Sequence, residues 1–121
     1  MFRIACICGS TRFNEDMRIL AKELTLQNKI VVMPNVFAHQ GDNINDYDKM
    51  RLDILHQEKI RMSHEVHVVI VDNYLGKSTL EEIAFAESLQ KPITYHRTTY
   101  QNSNEEPYCK YPITEIIGGR M

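Results

Sequence analysis

Apolar and polar positions change period several times along the chain. Residues 3–8 (RIACIC) make a short, mostly apolar run that suits a strand buried on both faces. From about residue 12 to 27, Phe13, Met17, Leu20, Ala21 and Leu24 recur at helical spacing. Residues 29–33 (KIVVM) read as a second strand, stopped by Pro34. A polar loop with Gly41 follows over 35–45, and a long helix is predicted over 46–62. Residues 66–71 (VHVVIV) are the most clearly buried strand. A helix capped by Ser or Thr is expected over about 79–90, then a strand over 92–95. The tail from residue 97 opens polar, with one last strand expected near 113–117.

Strands alternating with helices predict an α/β fold. Right-handed crossovers put helices on both faces of a mostly parallel sheet of four to five strands, a three-layer, flavodoxin- or Rossmann-like arrangement. Ligands of such sheets bind outside the carboxyl ends of the strands, where the strand order reverses. Residues 9–12, 34–37, 72–74 and 95–96 are therefore expected at one crevice. Asn35, Phe37, Asp72 and Tyr74 are the candidates there for contact with the body of a ligand.

Bulk properties narrow the classes. At 121 residues, 43% hydrophobic and 25% charged, the chain is expected to fold as one domain with a real core. A net charge of −2 argues against a grip on polymeric nucleic acid, and leaves a small anionic ligand as the expected partner. The N-terminal apolar segment, about six residues long, is too short for a secretory core or a membrane span, so no membrane association is expected. Cys6, Cys8 and Cys109 have no disulfide-framework spacing. Cys6 and Cys8 share a strand face, but a zinc site needs two more ligands, and no spacing in the sequence supplies them. Buried thiols in a reducing, cytoplasmic compartment are expected, with no metal.

Three stretches carry chemistry. In "CICGSTRF" the first strand hands over to a helix through Gly9, Ser10, Thr11 and Arg12. A helix N-terminus with these residues can cradle a phosphate: backbone N–H groups point outward, the hydroxyls donate, and a guanidinium forks onto oxygens. Ser10 or Thr11 can equally cap the helix, with Glu15 and Asp16 complementing its dipole. In "GKSTLEEIAFAESLQKP", Ser78 with Glu81 and Thr79 with Glu82 both fit capping-box spacing. Glu82, however, lines up with Phe85, Ala86 and Leu89 on the sheet-facing stripe, where a carboxylate is placed to work on a ligand. In "LHQEKI", His56 and Lys59 lie in apolar helical rows, so each either snorkels to water or faces the crevice. His39, His64, His67 and His96 make no metal pattern; His67 reads as packed or at a sheet edge, and His96 is within reach of the crevice.

Strand–CGSxR–helix, a mid-chain helix leading into an apolar strand, and a hydroxyl-rich turn with E-x-x-x-A-x-x-x-x-K-P together resemble the nucleoside 2-deoxyribosyltransferase superfamily. In motif terms the nearest branch is the 2′-deoxynucleoside 5′-monophosphate N-glycosidases. The resemblance covers roughly residues 3 to 95. It implies cleavage or transfer at the N-glycosidic bond of a deoxynucleoside or its monophosphate, no cofactor, and a homodimer or higher homo-oligomer. It matches Glu82 to the family's nucleophile and Gly9, Ser10 and Arg12 to its phosphate loop, with Thr11 beside them. The family's mid-helix aspartate is replaced by His56, a strand tyrosine by Cys6, and a phosphate-contacting serine by Tyr74, with Ser78 or Thr79 placed to supply the lost hydroxyl. The alternative implied by those replacements is a non-catalytic nucleotide-binding or sensing domain on the same scaffold.

Overall fold

The first apolar run folds as strand β1 (Ile4–Cys8), whose last four residues are buried. The structure is a computed structural model describing residues 1–34 and 43–100. Asn35, Phe37, His39, Gly41, Cys109 and the strand expected near 113–117 lie outside the described residues. After β1 a 3-10 turn (Thr11–Phe13) leads into α1 (Asn14–Leu26). Then come β2 (Ile30–Val32), α2 (Asp46–Met62), β3 (Glu65–Val71), α3 (Lys77–Ser88) and β4 (Ile93–Thr98). The four strands are parallel in the order β2-β1-β3-β4. The order therefore reverses between β1 and β3.

Alternation along the central strands divides the core. Ala5, Ile7, Val69 and Val71 point to one face, where Met17, Leu20 and Leu24 of α1 cover them. Cys6, Cys8, Val66, Val68 and Ile70 point to the other, under Ile60 of α2 and Ile83 and Ala86 of α3. Each fully buried large aliphatic side chain contributes about 2 kcal/mol by transfer from water, so neither layer is dispensable.

Helix ends follow local chemistry. Asn28 (φ 65°) ends α1 and Gln90 (φ 57°) ends α3 in the left-handed conformation. The following N–H groups, of Lys29 and Lys91, donate back to Leu24 O (3.2 Å) and Ala86 O (3.0 Å), satisfying carbonyls the helices leave open. The start of α3 differs from the capping-box expectation. Its N-cap is Gly76, which offers no side-chain bond, so Ser78 and Thr79 lie inside the first turn and cap nothing. β4 runs three residues further than expected because it pairs with β3 through Val71 and Thr98.

At the amino ends of the strands, away from the reversal's carboxyl side, Glu65 is a hub. It accepts from Arg3 Nε and Lys29 Nζ at 2.8 Å each and from His67 Nε2 at 2.5 Å. His67 Nδ1 lies 2.9 Å from His96 Nε2. With the Nε2 proton of His67 on Glu65, the second bond runs from His96 Nε2–H to His67 Nδ1. His96 thus sits on the α1 face, not in the crevice where the sequence put it. No helix among the described residues is long and apolar enough to cross a membrane.

Candidate functional site

At the carboxyl ends of β1 and β3 the diverging loops leave a cavity of about 360 Å³, within the range of small-ligand sites. Three segments build it. The turn after β1 supplies Gly9, Ser10, Thr11 and Arg12. The β3–α3 connection supplies Tyr74 and residues 76–79, and α2 supplies Lys49, Leu52, Asp53 and His56. Glu82, one turn into α3, completes the wall.

The first turn is capped as the sequence allowed: Arg12 N–H donates to Ser10 Oγ at 3.3 Å. Gly9 packs closely: a Cβ there would sit 3.2 Å from Val69 O and 3.3 Å from Met17 Sδ, so a side chain would displace its neighbours by a few tenths of an ångström. Arg12 extends over the Tyr74 ring, 4.4 Å from its centroid, while Phe13 meets that ring edge-on at 5.7 Å. Tyr74 reaches this position through a reversal of the chain. Asp72 (φ 50°) and Asn73 (φ 61°) are both left-handed, and Tyr74 N–H donates to Val71 O at 2.9 Å. This is the type I′ pattern, for which Asn and Asp are favoured.

The same turn carries Asp72 out of the cavity. Its N–H donates to Thr98 O (2.8 Å) and its carboxylate accepts Tyr100 N–H (2.7 Å), so it ties the end of β3 to the end of β4. Tyr95 and His96 likewise do not line the cavity, because β4 lies on the edge beyond β3. Lys59, which the sequence left between snorkelling and the crevice, donates to Met33 O at 2.6 Å and anchors the end of β2.

On the α3 side residues 77–79 line the cavity, and as the first turn of the helix their backbone N–H groups have no intrahelical acceptor and no capping side chain. Lys49 Nζ stands 3.5 Å from both Ser78 Oγ and Asp53 Oδ2. Lys49 went unassigned at the sequence level, and Asp53, one helical turn from His56, offered only a weak substitute for the family's lost aspartate. The signal was present: residues 49, 52, 53 and 56 share one face of α2 at helical spacing.

The floor is the chemically unusual part. His56 is buried and its Nε2 lies 3.4 Å from Cys8 Sγ, 3.9 Å from Cys6 Sγ and 3.7 Å from Glu82 Oε1. His56 therefore faces the crevice rather than snorkelling. Burial, reinforced by the neighbouring Cys6, pushes the Glu82 carboxyl up to about 7 against the opposing pull of His56. For His56 burial acts downward, but the Cys6 hydrogen bond and the Glu82 charge outweigh it and raise the imidazole. Among the described residues His56 Nδ1 has no hydrogen-bond partner. The two thiols are free and buried. α2 thus brings an imidazole beside them, a group that no sequence spacing supplied.

No family model matches the chain, and no curated protein matches it. Among solved structures, the fold is similar to that of a 2-deoxyribosyltransferase from the psychrotolerant bacterium Bacillus psychrosaccharolyticus, described as a biocatalyst for the synthesis of nucleosides. The TM-score is 0.59 at 19% identity, over 84% of this chain and 77% of that one. The likeness is one of fold.

Proposed function

We propose, starting from a fold shared with a 2-deoxyribosyltransferase, that this protein acts on the N-glycosidic bond of a deoxynucleoside or deoxynucleoside 5′-monophosphate. The observation that carries the reading is Glu82, a carboxylate with 15% of its side chain exposed, on the wall of a cavity that also presents amide groups and a guanidinium. Ser10, Thr11, Arg12 and Ser78, with the N–H groups of residues 77–79, hold the phosphate. Glu82 attacks C1′ as the base departs, and the covalent deoxyribosyl intermediate passes to water or to a second base. The fixed negative charge also stabilises the oxocarbenium-like transition state. His56 orients the carboxylate, and Tyr74 braces Arg12 and closes the sugar side of the cavity. A reducing compartment keeps Cys6 and Cys8 as thiols.

The test is base release, followed by chromatography, from the 2′-deoxynucleosides and their 5′-monophosphates in metal-free buffer. Release, faster from the monophosphates, supports the reading. Nucleotide binding by calorimetry with no base released from any of them overturns it and leaves a nucleotide-binding domain. Arg12→Ala is expected to raise KM for the monophosphates by about ten- to a hundredfold, the loss of one charge-assisted contact, while leaving unphosphorylated substrates within about twofold. Equal losses on both classes would remove Arg12 from the phosphate site.

The same reading includes a homo-oligomer. Tyr47, Met50 and Ile54 lie on one outward stripe of α2 at 63%, 53% and 53% exposure, an apolar face suited to a second copy. Light scattering is expected to report a dimer or larger, and Ile54→Glu to shift it to monomer. A wild-type chain that is monomeric at assay concentration sinks the proposal.

A further inference from the structure

The floor of the cavity brings together two thiols, an imidazole and a carboxylate from three elements of the fold. Cys6 and Cys8 come from alternate positions of β1, His56 from α2 and Glu82 from α3. The donor atoms of Cys6, Cys8 and His56 all lie within 4.8 Å of one another. The Nε2 side of His56 is turned to both sulfurs and to Glu82.

We propose that Cys6, Cys8, His56 and Glu82 form a tetrahedral zinc site at the floor of the cavity. Three of the six edges, those that meet at His56 Nε2, can be checked. With zinc–sulfur bonds of about 2.3 Å and zinc–nitrogen or zinc–oxygen bonds of about 2.0–2.1 Å, a tetrahedron has sulfur–nitrogen edges of about 3.5 Å and a nitrogen–oxygen edge of about 3.3 Å. The corresponding separations are 3.4 and 3.9 Å to the sulfurs and 3.7 Å to the carboxylate. Small side-chain shifts gather Cys6, Cys8 and His56, and Glu82, which lies outside that group of three, takes the fourth position by a larger movement of its side chain. Two thiolates with an imidazole select zinc over magnesium or calcium, which prefer oxygen. His56 and Glu82 line the open cavity, so the ion has a path in, and the thiol protons leave to solvent as it binds. With Glu82 as a ligand, zinc and glycosidic attack exclude one another. That consequence rests on the function proposed above; the metal site itself does not.

The experiment uses the full chain carrying Cys109→Ser, reduced and stripped with a chelator, and titrated with Zn²⁺ alone against a chromophoric competitor. One zinc per chain with an apparent Kd of micromolar or tighter is expected. Co²⁺ in place of zinc is expected to show thiolate-to-cobalt charge transfer with tetrahedral ligand-field bands, a readout that needs no variant at the site. Cys8→Ser and His56→Ala are each expected to weaken zinc binding at least tenfold. A cobalt spectrum without thiolate charge transfer overturns the site. So does wild-type zinc affinity in a folded Cys6→Ser/Cys8→Ser double variant. Failure to bind zinc with base release intact overturns the metal site and leaves the glycosidic reading standing. Zinc binding in a protein whose metal-free form releases no base does the reverse.

Discussion

Replacing Glu82 with glutamine is expected to cut base release by a factor of about 1,000 or more, at least about 4 kcal/mol of lost transition-state stabilisation, while nucleotide binding stays within a few-fold of wild type. Glutamine keeps the shape and the hydrogen-bonding reach of the side chain but can neither form the glycosyl ester nor present a charge to the oxocarbenium ion. Single-turnover release, measured with a chelator present, is the direct check. Release at the wild-type rate would remove Glu82 from the chemistry. Because burial holds this carboxyl at about 7, base release by the wild type is expected to rise between pH 6 and 8 as Glu82 ionises. The stability effect has the opposite sign. A carboxyl whose folded value lies above its ordinary 4.5 binds more protons folded than unfolded, so stability falls as pH climbs from about 4.5 to 7. Glu82→Gln is therefore expected to melt higher than wild type at pH 8, by an amount worth on the order of 2 kcal/mol. Loss of activity combined with a gain in stability separates a working residue from a merely structural one.

Glu65→Ala is expected to be the most damaging polar substitution for the fold, on the order of 3 kcal/mol. The carboxylate joins Arg3, Lys29 and His67, so it ties the residues just before β1 and β2 to β3. Its removal strands Lys29, whose side chain is 24% exposed, beside a buried imidazole. Burial alone would raise the Glu65 carboxyl, but hydrogen bonds from Arg3, Lys29 and His67 prevail and hold it at about 2 against the ordinary 4.5. A depressed carboxyl contributes its full stabilisation above about 4.5 and loses it as pH falls towards 2. Urea unfolding of wild type and Glu65→Ala should show a wide gap in midpoint at pH 7 that narrows progressively below pH 4.5. A gap of constant width would mean that the cost is one of packing rather than of charge.

Much of this was legible in the sequence, because period and punctuation act locally. α2 fills the predicted span between Asn45, whose side chain accepts from Asp48 N–H, and Ser63. The parallel pairing follows from alternating elements, and the placement of residues 9–12, Pro34 and Tyr74 at one crevice follows from it. Where local rules competed, reading alone could not choose. Ser78 and Thr79 have capping-box spacing, yet the chain enters α3 two to three residues earlier, at Gly76, which has no side chain to cap with. Asp72 was grouped with Tyr74 because the two are neighbours in sequence. Two consecutive left-handed residues turn one to the edge of the sheet and the other into the cavity. The cluster of Cys6, Cys8 and His56 was invisible for a different reason. The contact spans 48 residues between Cys8 and His56, and only the seating of α2 on the sheet creates it.

The position of β1 has a consequence for how the protein is made. β1 is interior, bonded to β2 on one side and β3 on the other, and its β3 partners lie 60 residues later, as in Ala5 with Glu65. At about 5–20 residues per second, the nascent strand leaves the ribosome roughly 3–12 s before its second flank exists. Through that interval a run of Ile, Ala and Cys with an open edge is exposed to other chains, the condition under which strands pair wrongly.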